Sequence, residues 1–246
     1  MTFTSALKIQ ELVDKDYVVA HALHFFGIKF YNYSESTLAE LCASKGIKQE
    51  VFVKHLESIR SESVIGPDLL RTYSVDLIIE YLKHAHFTYI KQRLPYIAGL
   101  IQDLPVEELK TDKDLKLIFP YFVEDFIRHI YDEEDSLFHY ILMMNKADKG
   151  DAHSQKVLRN FDKKSISDYA LEHSSDDDVM DGIRDITNNY SPEVPSIHLK
   201  VLYRELQSLE NDLMLHAKIE NEILFPKALE LEKSITEKLK MMSSWN

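Results

Sequence analysis

Apolar residues recur at spacings of three and four along four long stretches of the chain. This is the period of a helix with one apolar face. Pro95 falls inside the first stretch, where it predicts a kink or a local irregularity. Four helices of this length with shorter links favour an antiparallel four-helix bundle. The predicted helices run over about Tyr73–Ile101, Leu115–Met144 and Ser165–Thr187, and the last begins near Ile197.

The residues before the bundle predict a small helical module. Short helices are expected over 16–26, 36–45 and 48–59, with Ser34 or Ser36 as an N-cap and a break at Gly46. The stretch 61–70 contains Gly66-Pro67 and has no period, which marks a boundary. The prediction is therefore an all-α chain with an N-terminal module at 1–62, a bundle at 72–232 and a C-terminal tail at 233–246. Polar links are expected at 103–114, with room for one helical turn, and at 146–164.

Composition narrows the class of protein. Only 6 Gly and 7 Pro occur, which favours long helices. The net charge of -12 argues against a nucleic-acid-binding surface, since such surfaces are normally basic. The single cysteine, Cys42, excludes an intrachain disulfide and fits a reducing compartment. The first residues lack a signal-peptide pattern, so we expect a cytoplasmic protein.

Two polar residues interrupt the apolar stripe of the fourth helix. His216 and Glu220 are four residues apart, so their side chains lie on one face of the helix and point toward the core. A buried imidazole and a buried carboxylate each need a partner. A metal ion supplies a partner to both, and a hydrogen-bonded pair without metal is the alternative.

The second helix repeats this arrangement. His129 and Glu133 have the same spacing, and one His precedes each pair by 43 residues: His86 before His129, and His173 before His216. The pattern indicates an internal duplication of a helical hairpin. The two matching segments read HIYDEEDSLF, residues 129–138, and HAKIENEILF, residues 216–225.

Three or four imidazoles with two carboxylates form a mixed shell suited to two first-row metal ions. Zinc accepts the same ligands but needs only three or four of them. The spacing is neither the His-Glu-x-x-His of metalloproteases nor the Glu-x-x-His of ferritin-like proteins. The predicted metal ligands are therefore His86, His129, Glu133, His173, His216 and Glu220.

Residues 73–230 resemble the hemerythrin-like bundle of the iron-sulfur cluster repair di-iron proteins, most closely over 209–229. Residues 16–59 are similar to the N-terminal domain of that family. The resemblance implies two iron ions held by the five ligands of the second, third and fourth helices, with Glu133 and Glu220 as bridges. It also implies iron-sulfur proteins as partners and dioxygen or nitric oxide as small ligands. The oligomeric state stays open, with a homodimer as one option.

The sequence departs from the family at two places. The family's Cys-Cys-Gly-Gly motif is replaced by residues 31–34, Tyr-Asn-Tyr-Ser, so thiol chemistry there is absent. In the first helix the family's His position holds Phe87, with His86 directly before it and His84 two residues further back. We favour His86, because it lies on the apolar seam whereas His84 is about 200° around the helix. The link after this helix lacks a further family His, so one metal position is open, weakly occupied, or completed by water or a carboxylate.

The expected function is repair of damaged iron-sulfur centres, or a response to nitrosative or oxidative stress, through iron donation or chemistry of nitric oxide or dioxygen. Two alternatives remain: a non-enzymatic carrier or sensor of a diatomic ligand, and a metal-depleted helical scaffold. Whether the chain is an enzyme stays open at this point.

Overall fold

The computed structural model describes residues 6–61, 67–105, 109–159, 165–175, 180–192 and 196–243. Over these residues the regular elements are helical, and the only β-type pairing is an isolated bridge between Lys8 and Thr37. This confirms the all-α prediction. Within the same ranges no helix combines the length and apolar character that a membrane crossing requires.

The N-terminal module is built from short helices and a 3₁₀ turn. Helix α1 was not predicted, and the N-cap of α3 is Thr37 rather than Ser34 or Ser36. Thr37 forms a capping box: its hydroxyl accepts from the Glu40 amide while the Glu40 carboxylate accepts from the Thr37 amide. The elements are α1 Ile9–Lys15, α2 Val18–Phe25, the 3₁₀ turn Phe30–Tyr33, α3 Leu38–Lys45 and α4 Gln49–Ser61.

Three of the bundle helices are long helical runs, each containing a π-helical segment. After the short α5, Pro67–Leu70, the first bundle helix is α6 Val75–Thr88, the π segment Tyr89–Arg93 and α7 Leu94–Gln102. The second is α8 Leu109–Asp132, the π segment Glu133–Phe138 and α9 His139–Asp148. The fourth is α13 Ile197–Ile219, the π segment Glu220–Leu224 and α14 Phe225–Ser243.

The third bundle helix consists of α11 Ile166–Ser175 and α12 Asp181–Ile186. The predicted link over 146–164 is wrong in part, because α9 reaches Asp148 and a further helix, α10 Ala152–Arg159, follows. A local cap explains α10: the Ser154 amide donates to the Asp151 carboxylate at 2.7 Å. The polar link expected over 103–114 is also shorter, since α8 begins at Leu109. At the C-terminus, α14 continues beyond residue 232 into the segment predicted as a tail.

Two prolines lie at the same place relative to π segments. Pro95 and Pro226 each follow the last residue of such a segment by two positions. Proline has no N–H to donate to the carbonyl four residues earlier, so the ladder must adjust locally. For Pro226 that carbonyl belongs to Glu222, and it accepts instead from Arg71 Nη1 at 3.0 Å. The irregularity expected at Pro95 is thus a π segment ending just before it.

The module packs on the end of the bundle where the first helix ends and the fourth begins. Asp103 accepts from the Tyr31 hydroxyl and from Lys29 Nζ, the latter at 2.7 Å. The Tyr31 ring stacks on buried His198, with centroids 4.0 Å apart, and His198 Nε2 donates to the Leu100 carbonyl at 2.9 Å. Apolar residues of module and bundle also share one core cluster. The replacement for the family's cysteine motif therefore takes part in docking.

A polar layer divides the apolar interior of the bundle. The cluster nearer the module ends at Tyr89, Ile130 and Leu213 on the first, second and fourth helices. The second cluster begins at Leu82, Leu137 and Ile219 on the same helices. Between these residues lie His86, Glu133 and His216, with Glu220 beside them.

Candidate metal centre

Four of the predicted ligands converge in the polar layer. His86, Glu133, His216 and Glu220 are buried, and one potential ligand atom from each lies within 4.8 Å of the others. They come from the first, second and fourth bundle helices. Across the described parts of the chain this is the only group of three or more such side chains close enough to hold a metal ion.

The two imidazoles face each other across the layer. His86 Nε2 lies 3.0 Å from His216 Nε2 and 3.6 Å from Glu133 Oε2. His216 Nε2 lies 3.2 Å from Glu220 Oε1, one turn along the same helix. Two ring nitrogens and two carboxylates therefore point at one small volume.

Glu134 fixes the orientation of His86. His86 Nδ1 donates to Glu134 Oε1 at 2.9 Å, so the proton of the neutral ring lies on Nδ1 and the lone pair of Nε2 faces the layer. Burial, reinforced by the neighbouring His216, lowers the pKa of His86 to about 3. His86 is therefore neutral at physiological pH, which is the state that binds a metal.

His129 lies at the edge of the layer. Its Nε2 is 3.4 Å from Glu133 Oε1, and its side chain is 38% exposed. The other predicted ligand, His173, belongs to α11, but its side chain lies outside the described residues. The His-x3-Glu pair of each half is thus formed, with the pair of the fourth helix more deeply buried.

Both glutamates occupy the first position of a π segment, Glu133 in the second helix and Glu220 in the fourth. A π-helical turn carries an extra residue relative to an α-helical one, and such turns occur frequently at functional sites. The duplicated sequence is therefore matched by a duplicated backbone irregularity. Nothing in the spacing of the residues pointed to these segments in advance.

The structure separates the two histidines of the first helix. His86 is buried, whereas His84 is exposed and Phe87 is 55% exposed. The apolar seam of the first helix therefore correctly predicted that His86 faces inward and His84 outward. Whether His86 binds metal remains a prediction.

A cavity of about 90 Å³ opens beside the layer, between the first and fourth helices. His216 forms part of its wall and is 10% exposed. The remaining walls come from tyrosine and aliphatic side chains and one carboxylate: Tyr81, Ala85, Tyr89, Asp212, Leu215 and Ile219.

The donor set fits a first-row metal ion. Two imidazoles and two carboxylates provide nitrogen and oxygen ligands, which suit iron, zinc or manganese. A divalent ion would offset two carboxylates buried close together, an arrangement that is costly without a cation.

Comparisons with known proteins point to a cation-binding family. The family described as the hemerythrin HHE cation binding domain matches residues 77–228, a range that holds every predicted ligand. The iron-sulfur cluster repair protein YtfE of Escherichia coli strain UMN026 is 27% identical over 201 residues, covering 79% of this chain and 84% of the relative. The proteins of the same name from Shigella boydii serotype 18 and Escherichia coli strain SE11 match with the same identity and coverage.

Proposed function

The chain belongs to the hemerythrin family of HHE cation-binding domains, and on that premise we propose that it is a di-iron protein that repairs iron-sulfur centres or acts under nitrosative and oxidative stress. The observation that carries the proposal is the buried layer of His86, Glu133, His216 and Glu220. The repair role is supported by relatives named iron-sulfur cluster repair proteins, which this chain matches over most of their length.

Two iron ions would be held by residues from both halves of the duplication. His86 and His216 would supply nitrogen ligands from the first and fourth helices, and Glu133 and Glu220 would supply carboxylate oxygens. His129, which lies beside Glu133, would bind the second iron ion together with His173. Support for two ions rather than one comes from the paired His-x3-Glu motifs, each with its own π segment.

The protein's own contribution is to present neutral imidazoles and buried carboxylates to the ion. Glu134 holds the His86 proton on Nδ1, so that the Nε2 lone pair is available. Glu133 and Glu220 are buried between the two apolar clusters, and burial strengthens the attraction of a carboxylate for a cation. Bound iron would supply reversible one-electron redox chemistry and affinity for nitric oxide or dioxygen.

The N-terminal module takes no part in thiol chemistry under this proposal. Its single cysteine, Cys42, is buried and unbridged, and burial raises the pKa of the thiol, which disfavours the reactive thiolate. Tyr31, at the place of the family's cysteines, is hydrogen-bonded to Asp103. Iron handling would therefore depend on the bundle. We place the protein in the cytoplasm and expect iron-sulfur proteins as clients.

One observation favours a second function, reversible binding or sensing of a diatomic ligand. The cavity of about 90 Å³ beside His216 is large enough for a diatomic molecule. A carrier or sensor of dioxygen or nitric oxide would need such access and no further chemistry. A metal-free scaffold would retain the fold and bind no iron.

Iron content and client repair separate these functions. Protein produced with iron should hold about two ions per chain and show the near-ultraviolet absorption of a bridged iron pair. Incubation with a nitric-oxide-damaged iron-sulfur enzyme should restore that enzyme if repair is correct, with His216→Ala as the inactive control. Binding of nitric oxide or dioxygen without restoration of the damaged enzyme would favour the carrier or sensor. Wild-type protein that contains no iron would favour the metal-free scaffold.

A further inference from the structure

Arg93 lies in the seam between the first and fourth bundle helices, two helical turns beyond His86. Its Nη1 donates to Asp212 Oδ2 at 2.7 Å, and its Nη2 donates to Ser208 Oγ at 3.1 Å. The same Nη2 lies 3.7 Å from Glu205 Oε2. These two acceptors and the carboxylate of Glu205 lie on successive turns of α13, so one guanidinium contacts about two turns of the fourth helix.

These contacts lie next to the candidate metal centre. Asp212 is one turn before His216, and its backbone carbonyl accepts from the Tyr89 hydroxyl at 3.2 Å. The Tyr89 ring lies edge-on to the His216 ring, with centroids 5.8 Å apart. The turn of the fourth helix that leads into His216 is therefore bonded to the first helix through both Tyr89 and Arg93.

The π segment Tyr89–Arg93 carries both of these contacts. Tyr89 is its first residue and Arg93 its last, and both reach Asp212 on the fourth helix. The segment begins three residues after His86. The backbone irregularity thus presents two polar side chains to one neighbouring helix.

Convergence of the ligands depends on the register between these two helices. A slip of one residue moves a helix by about 1.5 Å along its axis, enough to disrupt the 3.0 Å approach of His86 Nε2 and His216 Nε2. Close packing of the apolar side chains opposes such a slip, but the hydrophobic effect that drives this packing has no preferred direction. A guanidinium bonded to several acceptors is directional.

We propose that Arg93 is a positioning residue for the metal centre, which sets the register of the first and fourth helices so that His86 and His216 meet. It acts through its hydrogen bonds to Asp212 and Ser208 on the fourth helix. The predicted effect of Arg93 on metal affinity rests on the proposed function. Its effect on the register of the two helices does not require bound metal.

The test compares three variants. Arg93→Met removes the guanidinium and keeps a long side chain, whereas Arg93→Lys keeps the charge without the planar fork. Arg60→Met is the matched control, since the guanidinium of Arg60 bonds Asp16 within the N-terminal module, with its Nε 2.9 Å from the carboxylate. Two quantities are measured: the Kd for Fe²⁺ by anaerobic competition with a chelator, and the ¹⁵N shifts of the histidine rings in metal-free protein.

Arg93→Met should weaken Fe²⁺ binding by about tenfold or more and change the ring shifts of His86 and His216. Arg93→Lys should fall between wild type and Arg93→Met, and Arg60→Met should match wild type in both measurements. A loss of stability alone does not alter the affinity of molecules that remain folded. Metal affinity therefore distinguishes positioning from general stabilisation.

Wild-type affinity and wild-type ring shifts in Arg93→Met would overturn the inference. If Arg93→Met does not fold, the Kd for Fe²⁺ and the ring shifts are measured on Arg93→Lys instead. Wild-type values of both quantities in Arg93→Lys would then overturn the inference. If wild-type protein binds no Fe²⁺, the proposed function fails, and the ring shifts of the metal-free variants still test the positioning role of Arg93.

Discussion

Glu205 provides a prediction whose size follows from its environment. Its side chain is 1% exposed, and burial raises its pKa from 4.5 to about 7, although Arg93 opposes the shift. Because the folded pKa lies above the unfolded one, the folded state binds more protons between about pH 4.5 and pH 7. The free energy of unfolding should therefore fall as pH rises through this window. The shift corresponds to about 3 kcal/mol at full ionisation.

Glu205→Gln removes this dependence while keeping the shape of the side chain. We expect the variant to gain stability relative to wild type as pH rises from 5 to 8, by about 2.5 kcal/mol. Urea unfolding of the metal-free variant and wild type at pH 5 and pH 8 measures the difference in stability between them. The other titrating groups are the same in both proteins, so their contributions largely cancel. Glu237→Gln, at an exposed position, controls for the lost charge. An equal difference at pH 5 and pH 8, or a relative loss at pH 8, would refute the reasoning.

The other predictions concern the first helix, the residue that orients His86, and the docking of the module. His86→Ala should reduce the iron bound per chain whereas His84→Ala should not, because only His86 faces the layer; equal iron content in both variants would contradict this assignment. Glu134→Ala should weaken Fe²⁺ binding by about tenfold, since His86 loses the acceptor of its Nδ1 proton; chelator competition measures the change, and an unaltered Kd would count against it. Tyr31→Phe removes the hydroxyl bonded to Asp103 and should lower the free energy of unfolding by about 1 kcal/mol. Denaturant unfolding measures it, and no loss would show that the contact does not stabilise docking.

Local periodicity predicted the bundle well because each long helix buries one stripe against its neighbours. The same stripe distinguished buried His86 from exposed His84, which lies on the other side of the helix. The periodic signal was weaker where helices are short. Helix α1 and helix α10 went unrecognised, the latter being held by a cap at Asp151.

Contacts between helices could not be read from spacing. Glu133 and Glu134 are adjacent, and neighbours in an α-helix point about 100° apart, yet both approach His86. They lie within a π segment that the sequence pattern did not reveal. The partners of Arg93 are more than one hundred residues away in sequence, so only the folded chain brings them together.

Iron per chain in purified protein tests the central claim most directly. Wild-type protein produced with iron should contain about two ions per chain, and His216→Ala should lose a large part of them because His216 belongs to the buried ligand layer. Fewer than one ion per chain in wild type, unaltered by His216→Ala, would contradict a di-iron centre in this bundle.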